Sequence, residues 1–278
     1  MRKYALTLTL VILAIACIVV AVLVHQNPTE TNQNPNVEKQ PPQEKPRVVQ
    51  DFATIFKQAD YVTELNIYFQ SPLGGENYFS GSGFVFKEKA GEKESFYILT
   101  ANHVVDIGYE ITKIVANFKC GCDSQEMEIL GKDSVIDSAL LKFKNSDYKF
   151  ICNTAIFGNS DELTPGEPVM AIGSPFHASY VVTVGVVSKI LNNPTDYGLP
   201  YSSLVIHTAA VNPGNSGGPI INKYGEIVGI NVVMFNPNWD NPLATSFGGA
   251  VPINAAKSLL AETQKEPAPQ EKSEQEEK

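Results

Sequence analysis

A glycine-rich turn around Ser216 holds the side chain best suited to nucleophilic chemistry. The turn reads Asn-Pro-Gly-Asn-Ser-Gly-Gly-Pro over residues 212–219 and lies between two apolar runs. A serine hydroxyl becomes a useful nucleophile when it is exposed and paired with a base, and glycines allow positive φ and close approach of a substrate carbonyl. The amides of Gly214 and Ser216 can then point together as two donors to an oxyanion. We therefore predict a catalytic serine here, with an ordinary hairpin turn as the alternative.

His103 is predicted to be the general base that activates Ser216. It follows an apolar run over residues 97–102, which predicts a strand leading into a short helical turn. A neutral imidazole can take the serine proton near pH 7 and return it to the leaving amine. The other histidines lie in a polar segment, in a loop, and on a strand that runs away from the nucleophile: His25, His177 and His207. The predicted positions of the four histidines therefore favour His103 as the general base.

Asp137 is predicted to orient His103. Its carboxylate immediately precedes the apolar run 138–143, where a strand would shield it from water. There it could accept the Nδ1 proton of His103, which fixes the tautomer and stabilises the imidazolium. Asp123 and Asp133 are nearby alternatives that do not adjoin this run. A mechanism of this kind requires no metal ion and no organic cofactor, and we predict neither.

Short β-like runs fill residues 51–260 and must position these side chains. Many runs are rich in Val, Ile, Phe and Tyr and are bounded by Gly, Pro, Asn or Asp. Predicted strands include residues 62–69, 83–86, 96–100, 114–118, 139–143, 169–172, 181–190, 204–208, 219–221 and 227–233. Only residues 51–59 and 253–262 have a helical pattern. Many short strands with few helices predict an all-β domain built from barrels or a sandwich.

The three candidate residues occur in the chain order His, Asp, Ser, which is the order of the trypsin-like clan. The sequence around them resembles the HtrA (Deg) serine proteases over about residues 55–260. The stretches that carry the resemblance are Gly-Ser-Gly-Phe-Val at 81–85, Thr-Ala-Asn-His at 100–103, Asp-Ser-Ala-Leu-Leu at 137–141, Gly-Glu-Pro-Val-Met-Ala-Ile-Gly-Ser-Pro-Phe at 166–176, Val-Gly-Val-Val-Ser at 184–188 and Ala-Ala-Val-Asn-Pro-Gly-Asn-Ser-Gly-Gly-Pro-Ile at 209–220. The resemblance implies two perpendicular six-stranded β-barrels of the trypsin-like (chymotrypsin) fold, at about 51–150 and 151–260, with the triad between them.

Two features depart from the HtrA pattern. These proteases usually carry PDZ domains after the protease domain, whereas 18 residues follow Leu260 here. We therefore expect no peptide sensing through a PDZ domain within this chain. The family usually has an aspartate where this chain has Thr208, so loop packing near the specificity pocket is expected to differ. Trimers are common among the relatives, which makes a homotrimer one candidate assembly.

The residues beside the serine turn predict the substrate preference. The side chains expected to line the primary pocket are Ala210, Val211, Asn231, Val232 and Val233. None of them is acidic, so a substrate Lys or Arg would find no partner, and we predict cleavage after small or medium aliphatic residues. The loop over residues 235–245 should border this pocket, with Trp239 either contacting substrate or covering a small apolar cluster.

The amino-terminal segment predicts a membrane anchor. Arg2 and Lys3 precede an uncharged apolar run over residues 4–24, and a helix of that length spans roughly 30 Å, about one hydrocarbon core. Basic residues are retained on the cytoplasmic side, so the catalytic domain would lie on the extracytoplasmic side, periplasmic or extracellular. A lipoprotein signal that ends at Cys17 is the alternative.

Polar segments flank the predicted protease domain at 51–260. Residues 25–50 are rich in Pro, Asn and Gln, and residues 261–278 are rich in Glu. Neither segment can bury enough apolar surface to offset the entropy lost on ordering, so we predict a disordered linker and a disordered acidic tail. The net charge of −9, without a clustered basic stripe, argues against a nucleic-acid partner.

Three cysteines in the predicted domain leave their pairing open. Cys17 lies in the apolar amino-terminal run, and Cys120, Cys122 and Cys152 remain. One disulfide between Cys152 and either Cys120 or Cys122 would suit an oxidising compartment, and buried or free thiols are the alternative. A zinc site would need a fourth ligand, which the neighbouring sequence does not offer.

These observations predict a membrane-anchored serine endopeptidase that hydrolyses unfolded or extended protein segments through an acyl-enzyme. Its expected role is protein quality control or processing in the cell envelope. Its expected partners are protein or peptide substrates and, through the amino-terminal helix, the membrane. Two other classes are compatible with the same features: a proteolytically silent trypsin-like fold that acts as a membrane-tethered binding module or chaperone, and an assembly component that tethers a partner through its acidic tail.

Overall fold

Residues 47–90, 93–235 and 247–263 are described by the structure, which is a computed structural model. The first six strands form a closed antiparallel barrel. They are β1 (Val62–Gln70), β2 (Glu76–Ala90), β3 (Lys93–Thr100), β4 (Ile111–Phe118), β5 (Gln125–Asp133) and β6 (Ser138–Phe143). Their order around the barrel is β1-β2-β3-β6-β5-β4, and pairing of β4 with β1 closes the ring.

A second closed barrel of six antiparallel strands follows. Its strands are β7 (Pro168–Gly173), β8 (Val181–Leu191), β9 (Leu204–His207), β10 (Pro219–Asn222), β11 (Ile227–Phe235) and β12 (Phe247–Pro252). Their order is β7-β8-β9-β12-β11-β10, and β10 pairs with β7 to complete the ring. The predicted all-β architecture of two six-stranded barrels is confirmed.

Alternating apolar side chains explain why these segments form strands. In β1, Leu65 and Ile67 are fully buried, while Asn66 and Tyr68 are only partly covered, as expected when successive side chains point to opposite faces. One continuous buried cluster contains residues of both barrels, including Phe84 of β2. Removing this apolar surface from water stabilises the fold, and the shared core packs the barrels against each other.

Short helices lie before, within and after the barrels. Helix α1 (Phe52–Gln58) begins at Asp51, whose carboxylate accepts hydrogen bonds from the amide and hydroxyl of Thr54 at 2.9 and 2.7 Å, the usual arrangement of an N-cap. Helix α2 (Asn102–Val105) joins β3 to β4, and helix α3 (Ile253–Thr263) follows β12. These helices agree with the helical patterns predicted at 51–59 and 253–262 and with the helical turn predicted at His103.

Strand β5 is not among the strands predicted from the sequence. Its residues are mostly polar, and Met127 is its one buried side chain. The pairing with β6 also shifts between Ile129 and Gly131, so that a β-bulge interrupts the alternation. A strand on the barrel's solvated side therefore leaves little hydrophobic pattern to recognise.

Strand β12 is likewise not among the strands predicted from the sequence. A Cβ atom on Gly248 would collide with the ring of His207 and would lie 2.7 Å from Cγ2 of Val211. Glycine is required here because neighbouring side chains pack directly onto the backbone of β12.

Several predicted segments lie outside the described residues. They are the membrane anchor at 1–24, most of the linker at 25–50, Trp239 with most of its loop, and most of the acidic tail at 261–278. Among the helices that the structure does describe, none combines the length and apolar character needed to cross a bilayer.

The described end of the predicted linker, residues 47–50, contacts the second barrel. Arg47 forms an ion pair with Glu162 at 2.6 Å, and the amide of Gln50 donates to the carbonyl of Lys223 at 2.8 Å. Arg47 and Gln50 therefore bind this segment to the domain that it precedes, while Val48 and Val49 between them stay exposed.

Candidate active site

Two hydrogen bonds join Asp137 to His103. Oδ2 of Asp137 lies 2.8 Å from Nδ1 of His103, and Oδ1 accepts the backbone N–H of His103 at 2.9 Å. The Asp137 side chain is 7% exposed, whereas that of His103 is 38% exposed. A proton held on Nδ1 by this carboxylate leaves Nε2 as the acceptor nitrogen. The pair has the geometry of a general base and the group that orients it.

The turn between β5 and β6 directs this carboxylate inward. Asp137 has a φ of 42°, in the left-handed region that Asp and Asn tolerate better than most residues. The rival Asp133 instead accepts the amides of Val135 and Ile136 at 2.7 and 3.2 Å. Asp133 thus stabilises the turn that presents Asp137.

The loop that carries Ser216 is held by strands from both barrels. From β2, the amide of Ser82 donates to the carbonyl of Ser216 at 2.8 Å, and the Ser82 hydroxyl donates to the carbonyl of Gly214 at 2.7 Å. From β11, the carbonyl of Asn231 accepts the amide of Gly217 at 2.7 Å. These bonds fix the backbone on either side of the candidate nucleophile.

Gly217 allows the loop to pack tightly against the first barrel. Its φ is 85°, and a Cβ atom there would collide with the carbonyl oxygen of Ser82 and with Oγ1 of Thr100. The same Cβ would lie 3.1 Å from the amide of Ala101, the residue that precedes α2. The Ser216 loop therefore lies beside the helix that carries His103.

Gly217→Ala should reduce the free energy of unfolding by about 2–5 kcal/mol, because left-handed strain and overpacking add together. Gly166→Ala is the matched control, since Gly166 also has a positive φ, of 95°, but has open space around its Cβ position. The control should lose only about 1–2 kcal/mol. Urea unfolding of both variants measures the difference, and equal losses would contradict the tight packing of the loop.

Two backbone donors beside Ser216 are suited to hold an oxyanion. Within the described part of the chain, neither the amide of Gly214 nor that of Ser216 donates to a protein acceptor. The carbonyl of Pro213 is turned toward Phe176, whose amide donates to it at 3.1 Å. Unpaired N–H groups on one loop are the arrangement that stabilises a developing negative charge.

Ser216 and His103 are not joined by a direct hydrogen bond in the described part of the chain. Among the hydrogen bonds of residues 47–90, 93–235 and 247–263, none joins Oγ of Ser216 to Nε2 of His103. Such bonds are often long in proteases without substrate and shorten when substrate binds. The structure thus brings His103 and Asp137 into contact and sets Ser216 on the adjoining loop.

The residues predicted to line the primary pocket occupy different positions. Ala210 is exposed, Val211 and Val232 are buried, and Val233 is partly buried. Asn231 is fully buried, and its side-chain amide donates to the carbonyl of Gly218 at 3.3 Å. Asn231 therefore supports the nucleophile loop from behind.

Tyr201 belongs to the site but was not found by sequence reasoning. It lines an open pocket that also contains His103, Asp137 and Val232. Burial, with a further contribution from the negative charge of Asp137, raises the pKa of Tyr201 to about 12. Tyr201 precedes β9 in a loop without hydrophobic periodicity, so the sequence contained no signal for its position.

His177, a rival for the general base, lies near Gly214 of the Ser216 loop. Its Nδ1 is 3.3 Å from Oγ of Ser80, and its ring contacts that of Tyr78 at 5.6 Å between centroids. It shares a shallow pocket with Phe176 and Gly214. His177 therefore lies beside Gly214, and no hydrogen bond among the described residues joins it to Asp137.

His207, the other rival, is fully buried against Gly248 and Val211. Among the described residues neither ring nitrogen has a hydrogen bond of good geometry. Burial lowers the pKa of His207 to about 4, against a smaller opposing effect of polar groups of Asn231 and Ala209. The imidazole is therefore neutral at neutral pH and packs beneath Val211, where it cannot act as the base.

The buried His207 should make the fold sensitive to acid. Its pKa is about 4 in the folded state against an ordinary value of 6.5, so below pH 6.5 the unfolded chain binds a proton that the folded chain does not. The free energy of unfolding should fall as the pH drops from 6.5 toward 4, with a total loss of about 3 kcal/mol. Urea unfolding across this range should show that His207→Leu removes the loss and that His177→Leu preserves it. The same pH dependence in both variants would contradict this assignment.

Comparison with known proteins agrees with this fold. The family model described as "Trypsin-like peptidase domain" matches residues 81–230. The chain therefore belongs to the trypsin-like peptidase domain family.

Within that family the chain is similar to HtrA-type proteases. The "Serine protease Do-like HtrA" of Lactobacillus helveticus is 32% identical over 189 residues, which cover 67% of this chain and 43% of that protein. The "Probable periplasmic serine endoprotease DegP-like" of a Marinomonas species is 35% identical, over 71% of this chain and 40% of that protein. The chain thus spans less than half the length of these curated relatives.

A solved structure of the "HtrA-type protease AlgW with tripeptide" matches with a TM-score of 0.60 and 26% sequence identity. The match covers 76% of this chain and 63% of the AlgW chain. The predicted resemblance to HtrA proteases is confirmed.

Proposed function

We propose that this chain is a serine endopeptidase. Oγ of Ser216 attacks the scissile carbonyl while Nε2 of His103 takes its proton, and His103 then returns the proton to the leaving amine. Asp137 keeps the other proton on Nδ1 and stabilises the imidazolium. The amides of Gly214 and Ser216 hold the oxyanion of the tetrahedral intermediate, and water repeats the sequence to release the acyl group. The observation that carries this proposal is the pair of hydrogen bonds, at 2.8 and 2.9 Å, from Asp137 to His103.

The proposed substrates are unfolded or extended protein segments with a small or medium aliphatic residue before the scissile bond. The proposed pocket wall consists of Ala210, Val211, Asn231, Val232 and Val233, none of which is charged, and burial keeps the nearby His207 neutral at neutral pH. An uncharged pocket wall favours apolar side chains and offers nothing to a substrate Lys or Arg. Sequencing the cleavage products of a denatured protein mixture would test this preference.

The proposed location is the extracytoplasmic side of a membrane. Residues 1–24 would form the anchor, residues 25–50 the linker, residues 51–260 the protease domain and residues 261–278 an acidic tail. The word "periplasmic" in the name of the Marinomonas relative supports this location. In this setting the enzyme would act in envelope protein quality control or processing, with a homotrimer as its proposed assembly.

One observation favours a second candidate function. Oγ of Ser216 has no hydrogen bond to His103 among the described residues. A trypsin-like fold that keeps these groups apart would be proteolytically silent and would act as a membrane-tethered binding module or chaperone.

A fluorophosphonate probe separates the two functions, because it reacts with serine hydroxyls that a neighbouring base has activated. The endopeptidase proposal predicts labelling of the full chain at Ser216 and none in Ser216→Ala. Labelling should be accompanied by cleavage of an unfolded casein-like substrate. Absence of label in the presence of such a substrate would favour the silent binding module.

A further inference from the structure

Three sulfur atoms meet at the side of the first barrel. Cys120 and Cys122 lie in the turn between β4 and β5, and Cys152 lies in the segment between β6 and β7. Cys120 and Cys152 form a disulfide with a Cα–Cα distance of 6.5 Å, which is one of the two pairings predicted from the sequence. Cys122 retains a thiol.

The thiol of Cys122 is positioned against both sulfurs of this disulfide. Its Sγ lies 3.0 Å from Sγ of Cys120 and 3.0 Å from Sγ of Cys152. Gly121 makes this possible with a left-handed φ of 77°, and its amide donates to the carbonyl of Phe118 at 3.0 Å. The tight turn brings the side chains on either side of Gly121 together, so the third sulfur is within reach of either partner.

The surroundings leave these sulfurs accessible to small reagents. All three cysteines are partly buried and none is enclosed. Tyr148 packs against the same core cluster as the three cysteines, and burial, followed by the charges of Cys122 and Asp123, raises the pKa of its phenol. The ring of Tyr148 stacks on Phe143 with 4.9 Å between centroids, which fixes one wall of the cluster.

We propose that Cys120, Cys122 and Cys152 form an internal thiol–disulfide exchange site. The Cys122 thiolate attacks Sγ of Cys152, a Cys122–Cys152 bond forms, the Cys120–Cys152 bond breaks, and Cys120 leaves as a thiolate that takes a proton from water. The proton first lost by Cys122 also goes to water. The step is a displacement at sulfur, so no net oxidation occurs and no external oxidant is needed.

The two cross-links to Cys152 are nearly equivalent. Cys120 lies 32 residues before Cys152, and Cys122 lies 30 residues before it. Both bonds therefore close loops of similar length and constrain the unfolded chain almost equally. A bond between Cys120 and Cys122 would join residues two positions apart and would release the segment after β6. Exchange between the Cys120–Cys152 and Cys122–Cys152 bonds keeps the β4–β5 turn linked to the segment after β6, even when Cys120 or Cys122 is chemically blocked.

Mapping the free thiol tests this site in the full-length protein. The protein is held at mildly alkaline pH, near the ordinary thiol pKa of about 8.5, and is then quenched with acid, labelled with N-ethylmaleimide and digested with pepsin. Mass spectrometry identifies each labelled cysteine separately, so Cys17 does not interfere. Label should appear on both Cys120 and Cys122, in amounts within about tenfold of each other because the two loops are similar, while Cys152 stays in disulfide form.

Two variants provide the matched control. Cys120→Ser and Cys122→Ser should each retain one disulfide to Cys152 and should unfold at similar temperatures. Label confined to Cys122 in the unsubstituted protein would overturn the proposal, as would two free thiols in Cys120→Ser after exposure to oxidised glutathione. One equivalent of zinc or copper held by the three cysteines without a disulfide would also overturn it. If Cys120→Ser fails to fold, the label distribution in the unsubstituted protein decides alone.

Discussion

Replacing Ser216 with alanine should lower kcat by at least about 10⁴-fold while the fold stays intact, because members of a catalytic triad act as a unit. The main-chain bonds that hold this residue are unaffected, since Ser82 donates to the carbonyl of Ser216 and no protein group binds its amide within the described residues. Only the hydroxyl is lost. The kcat is measured with a fluorescence-quenched peptide that has an aliphatic residue before the scissile bond. A urea unfolding curve shows whether the fold stays intact.

The control for Ser216→Ala is Ser202→Ala. Ser202 is exposed in the loop before β9, close in sequence to Tyr201, but outside the glycine-rich turn. It should retain normal kcat and KM. Substantial activity in Ser216→Ala, with the control unchanged, would assign the nucleophile to another residue and remove the basis of the proposed mechanism.

Asp137→Asn should reduce kcat/KM by about 10⁴-fold, because it reverses the tautomer of His103. Both oxygens of Asp137 now accept from His103, one from its amide and one from Nδ1. Asparagine has a single carbonyl oxygen. If that oxygen accepts the backbone amide, the NH₂ group donates to Nδ1, and the proton moves to Nε2. His103 then cannot accept a proton from Ser216.

Asp133→Asn controls for the general loss of a carboxylate in the same turn. Asp133 accepts two backbone amides, from Val135 and Ile136, and the oxygen of asparagine can still accept them. We expect less than about a tenfold change in kcat/KM, since a neutral acceptor weakens these bonds without removing them. Equal losses in the two variants would mean that the turn's stability, and not the orientation of His103, determines activity.

Candidate catalytic residues could be named from the sequence more readily than the residues that surround them. Ser216 could be assigned as a candidate because consecutive glycines, a strand on each side and the chain order after His103 and Asp137 restrict the alternatives. Tyr201 could not, because it reaches the His103–Asp137 pair through a loop whose course depends on packing between distant strands. Asn231 was expected to line the pocket, and its position on β11 was correct. Its fully buried amide depends on the register of β11 against the Ser216 loop, which sequence patterning does not encode.

The strands also divide into those that their own sequence predicts and those that only packing within the whole domain explains. Strands with buried alternating side chains, such as β1, were predicted from their own residues. Strand β12 could not be recognised from its own residues, because Gly248 is required to leave room for the ring of His207 on the neighbouring strand. A segment such as β12, which is buried by packing against other strands, need not show hydrophobic periodicity in its own sequence.

Ser82 of the first barrel binds the Ser216 loop of the second barrel through its backbone amide and its hydroxyl at once. Any hinge-like parting of the two barrels must break these bonds and also the one that the Ser82 hydroxyl accepts from the amide of Ser174 at 2.9 Å. Heat or denaturant that breaks these bonds should displace the Ser216 loop from the first barrel and stop the proposed proteolysis, so activity should be lost no later than the native circular dichroism.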